Sequence, residues 1–132
     1  MCGGKNLVSD IFEGIQGTAN ALQVDAIGKG NAKTVKSVAR AQAERTKKQG
    51  KTDASSARAA AAENGLDVDQ GAAAMIQDEH LGNAAYNASL GIADAENQAN
   101  QIRQQAKLQR NNYGMQAASS FASAGMKAMG WK

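Results

Sequence analysis

Glu63-Asn64-Gly65-Leu66-Asp67-Val68-Asp69-Gln70 is the best-marked turn in a chain of 132 residues that contains no proline. Gly65 suits the C′ position after a helix, where the backbone turns left-handed and glycine has no Cβ to obstruct it. Asp67 or Asp69 can cap the helix that follows and complement its dipole. On either side the sequence is rich in Ala, Gln, Glu, Lys and Arg, the strongest helix formers. Proline removes a helical hydrogen bond and clashes with the preceding turn, so its absence permits very long helices. No strand-length window alternates β-branched or aromatic residues with polar ones. The sequence predicts an all-α fold: a long antiparallel helical hairpin that turns here.

Composition limits how such a hairpin holds together. Of the 42% apolar residues, half are the 28 alanines, and aromatics are only 4%. Burial contributes in proportion to area, at roughly 25 cal/mol per Å², and alanine has little area to bury. Larger side chains are too few and too dispersed for a thick core. The missing burial must come from neighbouring chains, which predicts a homo-oligomer. No run of 18 or more apolar residues suggests a conventional membrane span.

Outward from the turn, four segments stand out within one elongated helical unit, 1–132. Residues 6–28 carry Leu7, Val8, Ile11, Phe12, Ile15, Ala19, Leu22 and Ala26 at helical spacing, weakened by Gly14 and Gly17. Gly28 and Gly30 predict a break or bend, and Asn31 is a candidate N-cap for a basic helix over 31–63, with Gly50 its weakest point. After the turn at 64–69, a helix over 70–112 shows steps of 4 and 3 through Ala74, Asp78, Leu81, Ala85, Ala88, Ile92, Ala95, Ala99, Ile102, Ala106, Gln109 and Tyr113. That spacing is a heptad seam, and its apolar members from Leu81 to Tyr113 are the candidate oligomer contact. The last segment, 113–131, is rich in small residues and nearly uncharged, with Gly114, Ala118 and Ala122 four apart.

Charge order supports the hairpin. Residues 29–58 hold nine Lys or Arg against Glu44 and Asp53, whereas 63–96 hold seven acids and no Lys or Arg. Folding at Leu66 sets residue 66−k beside 66+k, so the basic block faces part of the acidic one. Lys29, Lys33, Lys36, Arg40, Arg45, Lys47, Lys48 and Lys51 are therefore assigned to the acidic arm or, alternatively, to phosphates of DNA contacted without sequence reading. Arms of this length reach roughly 50–65 Å at 1.5 Å per residue. The same fold gathers both apolar terminal segments together. Leu7, Ile11, Phe12, Ile15, Leu22, Phe121, Met126, Met129 and Trp131 become candidate contacts for a membrane or a partner.

Catalytic and metal chemistry finds no footing, and no cofactor is expected. His80 is the lone histidine, beside Asp78 and Glu79, whereas zinc takes three or four clustered ligands. Asp67 and Asp69 lack the remaining acids of a calcium loop. Gly28-Lys29-Gly30-Asn31-Ala32-Lys33-Thr34 lacks both the spacing and the preceding strand of a phosphate loop. Cys2 alone cannot form an intrachain disulfide, and Met-Cys-Gly-Gly-Lys-Asn does not read as a signal peptide. Assembly in the cytoplasm is the expectation.

Several of these stretches are familiar together. Met1-Cys2 opens the chain, and Ala57-Arg58-Ala59-Ala60-Ala61-Ala62-Glu63-Asn64-Gly65-Leu66-Asp67-Val68-Asp69-Gln70-Gly71 spans the turn. Gln98, Gln101 and Arg103-Gln104-Gln105-Ala106 then lead into a Gly/Ala/Ser/Met tail. This arrangement resembles the small internal virion proteins, also called core or ejection proteins, of short-tailed bacteriophages. The motif itself covers about residues 57–71, and the layout about 35–130; this chain lacks a polar tail after the small-residue segment. The resemblance implies a helical protein assembling into a ring or tube, stored in the capsid near the portal and ejected with the DNA. It would then help form a conduit through the host outer membrane. Implied partners are copies of itself, other internal virion proteins, portal or tail proteins, the host outer membrane, and genomic DNA without sequence specificity. Two other readings compete: a purely structural virion or tail adaptor, and a nonspecific DNA-associated virion protein.

Overall fold

A computed structural model describes the backbone of residues 4–130 and the side chains of 8–130. It contains two helices, α1 over Gly4–Glu63 and α2 over Gly71–Ala128, and no strand among the described residues. The helices pack against each other as an antiparallel helical hairpin.

The turn is built as the sequence indicates at its first half and differently at its second. Gly65 has φ +70°, and its N–H donates to the Ala62 carbonyl at 3.0 Å while the Leu66 N–H donates to the Ala61 carbonyl at 3.0 Å. These two bonds are the Schellman pattern, which satisfies carbonyls that a helix end would otherwise leave open. The expected caps at Asp67 and Asp69 do not form. The Asp67 carboxylate accepts from the Asp69 N–H at 3.0 Å, and the Asp69 carboxylate pairs with Arg58 at 2.8 Å. A second left-handed glycine, Gly71 at φ +64°, opens α2 instead. Gln77 Nε2 ties the turn down by donating to the Val68 carbonyl at 2.8 Å.

The expected break at Gly28–Gly30 does not occur, and neither does the cap at Asn31. α1 runs unbroken through both, and through Gly50. α2 likewise joins the 70–112 and 113–131 segments into one helix. The reason lies across the contact. A Cβ at Gly28 would collide with the Ala106 Cβ, and one at Gly50 with the Ala84 Cβ. These glycines are points of close approach between helices rather than breaks in them.

Contacts group into two units. In the first, made of residues up to 32 and from 100 onward, Gly17 lies opposite Ala117 and Gly28 opposite Ala106, while the Phe121 ring covers Gly14. In the second, residues 33–99, Gly50 lies opposite Ala84 and Arg58 reaches Asp69. In each unit the glycine-to-alanine pairs are centred on Asp67, one residue beyond the Leu66 expected from the sequence.

Buried positions correct the period of the seam. In α1 they include Gly17, Gly28, Ala39, Gly50 and Ala61, and also Ala21, Ala32, Ala43 and Ala54. In α2 they include Ala73, Ala84, Ala95, Ala106 and Ala117. Each series advances by eleven residues, not seven. Eleven residues make three turns at 3.67 residues per turn, closer to the natural 3.6 than a heptad's 3.5. An eleven-residue spacing therefore returns small residues to the facing side with little change from the natural helical twist.

Candidate interaction surfaces

The inner contact comes first, because it decides what is left outside. All fourteen buried hydrophobic side chains among the described residues are alanines, and no buried side chain is polar or charged. Alanine and glycine let the backbones approach closely but remove little oil-like surface from water. The accessible surface is 9733 Å². A compact monomer of the same mass would expose about 6,600 Å² by the usual scaling. The chain alone is under-buried.

The seam positions expected from the sequence divide accordingly. Ala88, Ala95, Ala99 and Ala106 are buried in the contact between α1 and α2. Ile92, Ile102 and Tyr113 are half-buried at its flanks, and Leu81 and Ala85 are exposed. Ala84 rather than Ala85 lies inside, as does Ala73 rather than Ala74.

In the first unit the bulky apolar residues point away from the seam. Phe12 is 67% exposed, Leu22 73% and Met115 73%; Val8, Ile11, Ile15, Ile27, Leu108, Met126 and Met129 are exposed as well. The apolar face over 6–28 is therefore an outer face, because Gly14, Gly17, Ala21 and Gly28 occupy the inner one. Leu7 and Trp131 lie outside the described side chains. Phe121 is shared: its ring packs over Gly14 and is still 42% exposed. Met115 and Leu108 escaped the sequence reading, since they fall between the heptad positions it followed.

Ion pairs also close this unit. Lys127 Nζ meets Asp10 Oδ2 at 2.5 Å. Asp25 accepts from Lys29 on the same helix at 2.7 Å, and Arg110 of α2 lies 3.9 Å away. The Lys29 hydrogen bond is the main reason the Asp25 carboxyl is held below the ordinary carboxylate value. Partial desolvation opposes it, and the charges of Lys29, Arg110 and Lys107 reinforce it.

In the second unit the opposed charge blocks scarcely touch. Lys36 reaches Glu96 at 4.0 Å, and Arg58 pairs with Asp69 beside the turn at 2.8 Å. Lys33, Arg40, Arg45, Lys47, Lys48 and Lys51 have no ion-pair partner among the described residues, nor do Asp78, Glu79 and Asp94. All nine of these side chains are exposed to water. The expected pairing of arms holds in register, but it neutralises few charges.

Among the described residues no three His, Cys, Asp or Glu side chains converge as a metal site would need. No described helix is long and apolar enough to cross a membrane. His80 borders a shallow open groove with Arg45, Gln49, Asp53 and Asn83. Two outer faces stand out among the described residues: one bulky and apolar, one charged. The described residues thus form an all-α hairpin that leaves both faces exposed. Comparison with family models, curated proteins and solved structures finds no match to this chain.

Proposed function

We propose that this chain is a non-enzymatic, self-assembling virion protein of a short-tailed bacteriophage, stored inside the capsid and ejected with the DNA to help open the host envelope. The carrying observation is the outer face of the first unit. Val8, Phe12, Ile15, Leu22, Met115 and Met129 stand in water although each such side chain gains about 1.5–3 kcal/mol on burial. A chain that leaves this much unburied is suited to a later partner: a lateral neighbour in a ring or tube, then lipid. Neither helix needs to span a membrane singly, because several copies together can present a continuous apolar band. The resemblance around residues 57–71 supplies the biological setting.

The test is assembly followed by lipid contact. Purified protein should form rings or tubes of defined size and release dye from anionic vesicles. A monodisperse monomer that leaves vesicles intact defeats the proposal. Defined assemblies without leakage would favour the structural adaptor reading, in which the same apolar face docks on a portal or tail protein. A third reading, DNA association, is favoured by the unpaired cations between Lys33 and Lys51. It requires DNA affinity that falls steeply with salt.

A further inference from the structure

The second unit carries two outer faces that match each other but cannot meet within one chain. On α1, Lys33, Arg40, Arg45, Lys47, Lys48 and Lys51 lie outside the seam without ion-pair partners among the described residues. Small Ser37 and Ala41 sit among them, exposed. On α2, Met75, Glu79, Gly82, Tyr86, Leu90 and Ala93 recur at steps of 4, 3, 4, 4 and 3, a single stripe facing away from α1. Met75 is 72% exposed and Tyr86 63%, and Asp78 and Asp94 rim the stripe without partners. Gly82 meets nothing within 4 Å, although glycine in a helix interior costs about 0.5–1 kcal/mol relative to alanine. Space at an outward glycine admits another backbone.

We infer that the acid-rimmed outer stripe of α2 docks on the basic outer face of α1 from a second copy of this chain. The inference rests on the self-assembly reading above and gives it a geometry. A contact of α2 with α2, or of α1 with α1, would oppose like charges, which costs stability and selects against it. The unlike pair uses two different patches, so each copy offers one free patch on either side. Such heterologous contacts close into rings or continue as filaments. A polyanion would account for the cations of α1 but not for Met75, Tyr86 and Leu90, nor for acids in the same compact unit. The charges select the partner face, and the apolar stripe with its open glycine supplies the contact.

Two charge-reversed variants test this in solution without lipid. One carries Lys33→Glu, Arg40→Glu, Lys47→Glu and Lys51→Glu; the other carries Asp78→Lys, Glu79→Lys and Asp94→Lys. Sedimentation velocity should show each alone associating at least about tenfold more weakly than wild type, since each must bring like charges together. An equimolar mixture should regain association as a mixed assembly. Wild-type association by either variant alone, or failure of the mixture while both remain helical by circular dichroism, overturns the interface. Loss of duplex DNA binding in the first variant with its self-association unchanged overturns it in favour of a polyanion. If a reversed variant loses helicity, the corresponding Gln or Asn set replaces it, with weaker association and reduced salt dependence expected and wild-type behaviour contradicting. Vesicle leakage is read separately: copies that associate this way yet spare vesicles sink the ejection reading and leave the interface standing.

Discussion

The two units are each built on the same kind of inner contact and differ in almost everything outside it. Inside both, glycine faces alanine: Gly28 with Ala106 in one, Gly50 with Ala84 in the other. Outside, the first presents Phe12, Ile15, Leu22, Leu108 and Met115, while the second presents cations on α1 and acids on α2. A uniform small-residue seam sets the spacing of the helices and is indifferent to what they carry outward. Outward chemistry is then free to vary along the chain. The units differ on their outer faces.

The largest expected effect breaks the shared part. Gly50→Leu places a side chain where even a Cβ would strike Ala84 Cβ and come within 3.1 Å of the His80 carbonyl. Overpacking of this kind costs typically about 1–3 kcal/mol. Thermal melting by circular dichroism should show it, and an unchanged melt would mean the helices do not approach there. Ile102→Asp tests the same seam at its flank. It leaves a charge beside alanine and should lower both melting temperature and assembly.

The next effect separates the outer faces. Phe12→Gln with Leu22→Gln should change monomer stability by no more than about 0.5 kcal/mol, as for exposed sites in general. Vesicle leakage should nevertheless fall several-fold. Equal leakage would remove the first unit's outer face from the account.

A smaller effect runs in the opposite direction. Gly30→Ala, two residues from Gly28 but with nothing within 4 Å, should stabilise by about 0.5–1 kcal/mol. Gly28→Ala should destabilise despite the same gain in propensity. If both stabilise, the inner and outer glycines are equivalent and the comparison fails.

The smallest effect concerns Asp25. Its carboxyl is lowered in the folded chain, so its contribution is present above the ordinary carboxylate value and is lost as pH falls through the folded value. Asp25→Asn should lower stability slightly at neutral pH, in the direction expected for losing an exposed helical ion pair. The variant's stability should lack that acid-side component. A titration of melting temperature against pH, wild type beside variant, reads the difference.

Much of this architecture is visible in the residues. Missing proline and the Gly65 signal place the turn, and the charge order brings the register within one residue. What misleads is the chemistry of small side chains. Gly28, Gly30 and Gly50 look alike as helix breakers, but Gly28 and Gly50 are contact points and Gly30 is open. Only the opposite helix distinguishes them. Pairs such as Ala73-Ala74 and Ala84-Ala85 offer one alanine to an eleven-residue repeat and its neighbour to a seven-residue one, so alanine alone cannot fix the face. Val8, Ile11, Phe12, Ile15 and Leu22 are legible as one helical face, and the structure leaves that face exposed.

The most direct test is the oligomeric state of the wild-type chain across concentration, with melting recorded on the same samples. The account predicts assemblies of defined size and a melting temperature that rises with concentration, as for any fold completed by its neighbours. A single chain that stays monomeric at every concentration, and melts cooperatively at one fixed temperature, would contradict it.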